Sequence, residues 1–278
     1  MTRQLRLLLV AIQFYSRIPV TGRLAAWMGW DDAWLGRATR YFPLVGLIVA
    51  LGQSLVYVAA SIVLPHPVAV LLALAAGLLL TGAFHEDGWA DFCDGFGGGT
   101  DRARTLAIMR DSRIGAYGAI GVVTLLMLRF ETLAHVGTDW IVVALLCAAA
   151  VSRGCAVLVM ASLRYARDED DAKAKPVAEH VAPVDTVLAV AFAAAPAVVL
   201  SLWIGSWTPA AVAASLALLA TAVLRRMMAT RLGGYTGDCL GAVQQVAEVA
   251  FLLGMLVVLD LSPVAELPYD TDESEEEP

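Results

Sequence analysis

Charge is scarce in this sequence. Only 16 % of the 278 residues are Asp, Glu, Lys or Arg, 59 % are hydrophobic, and the mean hydropathy is +0.71, whereas ordinary soluble domains carry roughly a quarter charged residues. So small a supply cannot cover a water-facing surface, which excludes a pair of soluble domains and leaves a chain threaded repeatedly through a bilayer. Cysteine is also sparse: Cys93, Cys147, Cys155 and Cys239 show no CxxC spacing, which argues against a disulfide framework or a zinc site. The opening stretch MTRQLRLLLVAIQFYSRIPV lacks a small-residue cleavage site and runs into Arg17 and Pro19. It reads as an amphipathic helix at the cytoplasmic surface rather than a cleaved signal. No internal repeat is visible.

What is present in quantity is long apolar runs. They predict membrane helices near residues 42–64, 67–85, 116–136, 139–162, 184–205, 208–230 and 240–261, each about long enough for a hydrocarbon core of roughly 30 Å. The expected fold is therefore all-α: a polytopic membrane bundle of about seven transmembrane helices plus the N-terminal interfacial helix, with residues 1–265 as one membrane-embedded catalytic domain. Every Lys and Arg except Arg129 and Arg153 falls in the N-terminal segment or around 85–115, 163–183 and 225–239. The positive-inside rule makes those regions cytoplasmic, and seven crossings put the C-terminus outside. Seven of the 26 acidic residues sit in ELPYDTDESEEEP. The tail 266–278 cannot bury a core and is expected to be disordered. The bilayer is the expected partner, and nucleic acid is not, given a net charge of −7.

The chemistry concentrates in FHEDGWADFCDGFGGGTDRA, residues 84–103, directly after an uncharged run. If the helix continues through the acids, Asp87, Asp91 and Asp94 follow i, i+4, i+7 and share one face. Carboxylates stacked so closely repel unless a cation sits among them, which invites a hard divalent ion with oxygen ligands. A solvated cap on a membrane helix is the plainer reading, but the chain has no Lys or Arg between Arg40 and Arg102, where such a cap would ordinarily be basic. The glycines after Asp94 end the helix and supply backbone amides that can cradle phosphate. In TDRARTLAIMRDSRIGAYG, Thr100 or Asp101 can cap a short helix, while Arg102, Arg110 and Arg113 near Asp111 offer guanidiniums suited to phosphate. Far along the chain, RLGGYTGDCLGAVQQVAEV places Asp238 after a glycine-rich loop and Gln244, Gln245 and Glu248 on the helix that follows. Two cations fall within spans, where they are costly. Arg129 reads as a structural partner of Glu131 or of a helix carbonyl, and Arg153 as either structural or within reach of a bound anion.

These stretches, together with FYSRIPV, YFPLVGLIVA and LRYAR at 163–167, resemble the cobalamin synthase family over nearly the whole chain. The resemblance implies a Mg²⁺-dependent enzyme of the bacterial inner membrane with its active site facing the cytoplasm. Such an enzyme joins adenosylcobinamide-GDP to α-ribazole or its 5′-phosphate, releases GMP, and has other cobalamin-assembly enzymes as candidate partners. It also implies metal ligands among Glu86, Asp87, Asp91 and Asp94, with Asp94 a candidate base, and catalytic roles for Arg110 and Arg113. Substrate contacts would come from His85, Arg102, Asp111, Arg153, Arg164, Gly234, Tyr235, Thr236, Asp238, Gln244 and Gln245. The acidic string also resembles, in part, the motif of CDP-alcohol phosphotransferases, an alternative that would make phospholipid. A cation transporter is a third reading, disfavoured because the acids sit at a helix end and no inverted repeat is found.

Overall fold

The computed structural model describes residues 2–31, 34–166 and 181–261, so the acidic tail and most of the loop after LRYAR lie outside the described residues. Among the described residues twelve α-helices run in order: α1 Thr2–Tyr15, α2 Gly22–Met28, α3 Leu35–Ala38, α4 Phe42–Ser61, α5 His66–Thr81, α6 Phe84–Gly98, α7 Arg102–Ile108, α8 Ala116–His135, α9 Ile141–Ser162, α10 Pro183–Ile204, α11 Thr208–Arg231 and α12 Gly237–Leu261. Six of these segments are long and apolar enough to cross a membrane, and seven if α5 and α6 together form one bent span.

Local sequence sets the ends. Pro43, Pro67, Pro183 and Pro209 lie in the first turns of α4, α5, α10 and α11, where a missing N–H costs nothing and a fixed φ favours helix. Gly82 and Gly205 close α5 and α10 in the left-handed region, both at φ +67°, as a helix C-terminus prefers. In the middle of the bundle small residues bring backbones together. A Cβ on Gly254 would meet Ala213 Cα at 2.6 Å, and one on Gly154 would meet Ala193 Cβ at 2.5 Å, which is how helices associate where water supplies no hydrophobic drive between them. The outer faces remain apolar: Leu55, Leu79, Ile120, Val187, Leu202 and Leu219 are exposed, forming a belt suited to lipid. Helix α1 turns Leu7, Val10, Ala11 and Tyr15 inward.

One helix departs from the pattern. The run expected to span 67–85 stops at Thr81, and α6 leaves it at 87°. The turn consists of two consecutive left-handed residues, Gly82 at φ +67° and Ala83 at φ +54°. Gly82 is needed twice over, because a Cβ there would also meet Arg17 Nε at 2.4 Å. The segment after α1 covers the break, with Arg17 N–H donating to Leu80 O at 2.7 Å.

Candidate functional site

The stripe Asp87, Asp91, Asp94 survives the bend because all three residues lie on α6. It descends from exposed Asp87 through half-buried Asp91 to buried Asp94. Asp94 reaches the start of α8, where its Oδ2 accepts from Gly115 N–H at 2.7 Å and its Oδ1 from Gly118 N–H at 2.8 Å. Both carboxylate oxygens thus satisfy backbone donors that the helix itself leaves unpaired, and the negative charge sits at the positive end of the helix dipole. Glycine is required on the other side: a Cβ on Gly115 or Gly118 would stand 2.4 Å from an Asp94 oxygen.

The far glycine-rich loop docks on the same helix. A Cβ on Gly88 would lie 2.9 Å from Asp238 O, and one on Gly241 would lie 3.0 Å from His85 O and 3.3 Å from Gly88 Cα. Glycine therefore faces glycine where α6 crosses α12, and this brings Asp238 and Thr236 to the helix that carries Asp87 and Asp91. Two hydrogen bonds fasten this loop to residues 163–166, Ala166 N–H to Tyr235 O at 2.8 Å and Tyr235 N–H to Arg164 O at 2.9 Å. A Cβ on Gly234 would collide with Arg164 O at 2.3 Å. Tyr235 itself is buried against Tyr165. Desolvation pushes its phenol well up from the ordinary range, so it stays neutral and serves as packing and hydrogen-bonding surface rather than as a base.

Beside this junction lies a polar cleft of about 570 Å³ lined by Arg102, Arg164, Tyr165, Ala166, Thr230, Arg231, Leu232 and Gly233. Its arginines are held by carbonyls. Arg102 donates to Leu232 O at 2.9 Å and Ala166 O at 2.5 Å, Arg164 to Gly233 O at 3.1 Å, and Arg231 to Phe96 O at 2.7 Å and to Gly99 O. A guanidinium has five N–H donors, so each retains donors for an anion. Arg231 received no role in the sequence reading, yet it closes the C-terminal end of α6. The available signal was a cation at the end of an apolar helix, immediately before LGGYTGD. The three-arginine clamp expected from Arg102, Arg110 and Arg113 is divided instead. Arg110 and Arg113 are exposed on the turn beyond α7 and do not line the cleft. Arg113 pairs with Asp111 at 2.7 Å, and this hydrogen-bonded partner holds the Asp111 carboxyl down at about 2. Asp101 caps α7 by accepting from Arg104 N–H at 2.9 Å.

Several residues expected near the substrate are gathered elsewhere, in a polar cluster inside the bundle. His85, Glu86, Arg153, Gln244 and Gln245 meet Gln53, Thr81, Arg129 and Glu248 around a space of about 10 Å³. Neighbouring residues on an α-helix point about 100° apart, so Glu86 turns inward while Asp87 faces out. Glu86 accepts from Gln245 Nε2 at 2.8 Å and lies 3.7 Å from Arg129. It is not brought together with the acids it was expected to join at a metal. Arg129 pairs with Glu248 and Glu86 rather than with Glu131, which is exposed beside His135. Arg153 donates to Ala149 O at 3.0 Å and lies 3.9 Å from Glu248.

Among the described residues no three His, Cys, Asp or Glu side chains converge into a ready-made metal cage. That fits Mg²⁺ nonetheless, because this ion is usually held by one or two carboxylates together with waters and substrate phosphates. Asp87 and Asp91, one helical turn apart on the open part of α6, offer such a donor set. Asp94 lies on the same stripe and accepts one N–H of α8 on each oxygen.

The pattern of the cobalamin-5-phosphate synthase family matches residues 7–256. A relative from Leptothrix cholodnii, named adenosylcobinamide-GDP ribazoletransferase, is 44 % identical over 256 residues, covering 90 % of this chain and 95 % of its own. Proteins of the same name from Ralstonia nicotianae and Shewanella frigidimarina are 44 % and 40 % identical, covering 90 % and 92 % of this chain and 95 % and 96 % of their own. No solved structure gives a significant match. The acidic helix, the loop docked on it and the arginine cleft all fall inside the matched residues, and the chain belongs to the cobalamin-5-phosphate synthase family.

Proposed function

We propose that this protein is a membrane-embedded transferase that joins adenosylcobinamide-GDP to α-ribazole or its 5′-phosphate and releases GMP. The observation that carries this reading is the docking of the glycine-rich loop before α12 on α6, the helix of Asp87 and Asp91, with an arginine-lined cleft on the same loop, in a chain whose relatives bear that enzyme's name. In the reaction a ribose hydroxyl oxygen bonds to the phosphorus attached to cobinamide. The bond from that phosphorus to the GMP oxygen breaks, GMP leaves with the electron pair, and the hydroxyl proton passes to an acceptor. Such transfer depends mainly on positioning and charge neutralisation. Arg102, Arg164 and Arg231 steady the diphosphate oxygens, while the Tyr165–Tyr235 wall keeps water from one side. Asp87 and Asp91 would hold Mg²⁺, which would supply further neutralisation of the phosphate charge. Asp94, expected as the base, has both oxygens hydrogen-bonded to α8, so we assign it a clamping role, and the loose transition state of phosphoryl transfer lets the proton pass to water. The arginine-rich loops at this end of the bundle orient it to the cytoplasm under the positive-inside rule, in a bacterial inner membrane.

The test is GMP release by purified protein in detergent, with adenosylcobinamide-GDP and α-ribazole supplied together and separately. Release should require both substrates and magnesium. Asp87→Asn and Asp91→Asn should lower it by about a hundredfold or more, while Asp101→Asn, a cap that Asn replaces well, should stay near wild type. Release without ribazole, or equal loss in all three variants, would overturn the assignment.

A further inference from the structure

The buried ions of the bundle touch no substrate in the reaction above, yet they meet the acidic helix at Glu86, one residue before Asp87. Glu86 on α6, Arg129 on α8, Arg153 on α9 and Glu248 on α12 have side chains only 3 % to 9 % exposed. Glu248 is the hub. Its Oε1 takes Arg129, and its Oε2 takes Gln244 and lies 3.4 Å from Ser152 Oγ and 3.9 Å from Arg153. Arg129 extends its other terminal nitrogen to Glu86, which also accepts from Gln245. Glu86 Oε2 and the Nε atoms of both arginines have no protein partner, so the set is organised by its balance of two positive and two negative charges rather than by a full complement of hydrogen bonds.

We propose that Glu248 is a positioning residue. By holding Arg129 it keeps Glu86 turned into the bundle, and so sets the rotation of α6 that presents Asp87 and Asp91 to the diphosphate. The proposal rests on the reading of those two carboxylates as the metal face. The bend gives it force. Since α6 leaves α5 at 87° through two left-handed residues, the faces of α5 do not continue into α6, and contacts along α6 help to hold its rotation. Asp94 and Arg231 fix the C-terminal half; near the N-terminal end, the charged contact is Glu86. If Glu248 loses its charge, Arg129 and Arg153 are left sharing Glu86, and α6 turns as that carboxylate is drawn between them.

The experiment uses the full-length protein in detergent, with Mn²⁺ alone as the metal probe followed by electron paramagnetic resonance, alongside GMP release per folded molecule. Glu248→Gln should weaken Mn²⁺ binding about tenfold, as loss of a group that orients metal ligands does, and lower kcat about a hundredfold. Its KM for adenosylcobinamide-GDP should change much less. The charge-balanced double variant Glu248→Gln with Arg153→Met should recover at least a tenfold part of kcat over the single one. Glu131→Gln, exposed on α8, serves as the unchanged control. If Glu248→Gln does not insert, Gln245→Leu, which keeps every charge but removes one bond to Glu86, should still weaken Mn²⁺ several-fold. A folded Glu248→Gln protein that melts lower yet binds Mn²⁺ and turns over like wild type would overturn the proposal, since that is the signature of stability alone. So would an unaltered Gln245→Leu. Wild type that binds no Mn²⁺ would instead sink the metal reading beneath it, and wild type that binds Mn²⁺ but releases no GMP would sink only the reaction.

Discussion

Replacing Asp94 by Asn separates a structural clamp from a catalytic base. Asn keeps one acceptor oxygen but places an NH₂ group where the other oxygen stood, facing either Gly115 N–H or Gly118 N–H, now 2.7 Å and 2.8 Å from the carboxylate. One hydrogen bond to a charged acceptor is lost, about 1.5–3 kcal/mol, and the charge at the α8 N-terminus adds roughly 0.5–1 kcal/mol. The sum, about 2–4 kcal/mol, corresponds to a melting shift of about 4–16 °C for a domain of this size. Gly118→Ala should produce the same shift by the opposite route, since its Cβ would stand 2.4 Å from Asp94 Oδ2 and displace the carboxylate while leaving it chemically intact. Thermal unfolding in detergent and proteolysis of the turn before α8 report the clamp, and GMP release reports the chemistry. Both variants should melt lower, nick faster at residues 109–115 and lose activity together. An Asp94→Asn protein that melts within about 1 °C of wild type yet loses all turnover would refute this reasoning and return Asp94 to the role of base.

Arg231→Lys tests the cleft. A point charge cannot reproduce the fork that joins Phe96 O to Gly99 O, so KM for adenosylcobinamide-GDP should rise about tenfold while KM for ribazole moves little; an equal rise in both would mean that the cleft does not take the diphosphate. The Asp111–Arg113 pair tests the reading of the exposed turn. Its partner lowers the Asp111 folded-state value to about 2, so whatever the pair contributes is fully present above the ordinary carboxylate value near 4 and is lost only as pH falls through about 2. Asp111→Asn should therefore give a melting curve parallel to wild type from pH 5 to pH 8; a difference that grows within that range would mean that another group titrates against Asp111.

The spans were legible because a long apolar run has few other places to go, and the structure ends α8, α9, α10 and α11 within two residues of the positions expected at each end. The bend was not. Hydropathy runs on smoothly to Phe84, and what breaks the helix is the backbone conformation of Gly82 and Ala83, together with the fit of Arg17 against Gly82. The i, i+4, i+7 spacing of the acids was readable, but their division of labour was not, because Asp94 is occupied by two glycine N–H groups more than twenty residues away. Glu86 shows the same limit. Next to Asp87 in sequence, it looked like another ligand, and only the positions of Arg129 and Gln245 on other helices show that it turns into the bundle. Arg129 seemed well explained by Glu131 two residues on, but i and i+2 do not face each other on a helix.

The bend also bears on how deep the acidic helix begins. With 16 residues and a rise of 1.5 Å each, α5 is about 24 Å long, short of the roughly 30 Å hydrocarbon thickness. A helix that turned at the headgroups would have needed another turn before Gly82. The partners of Glu86 agree. Glu248 stands eleven residues into α12, about 17 Å along its axis from Gly237, and Arg129 lies in the second half of α8. On these lengths the start of α6 lies below the headgroup level, with Asp87 exposed on it, and the acids belong to a recessed helix rather than to a cap on the membrane. Charges at such depth are tolerable only if paired, which accounts for the four-ion set beneath them. A recess of this kind suits a large amphiphilic substrate: its diphosphate can meet the arginine cleft while its bulky part stays at the level of the lipid, without either half leaving the solvent it prefers.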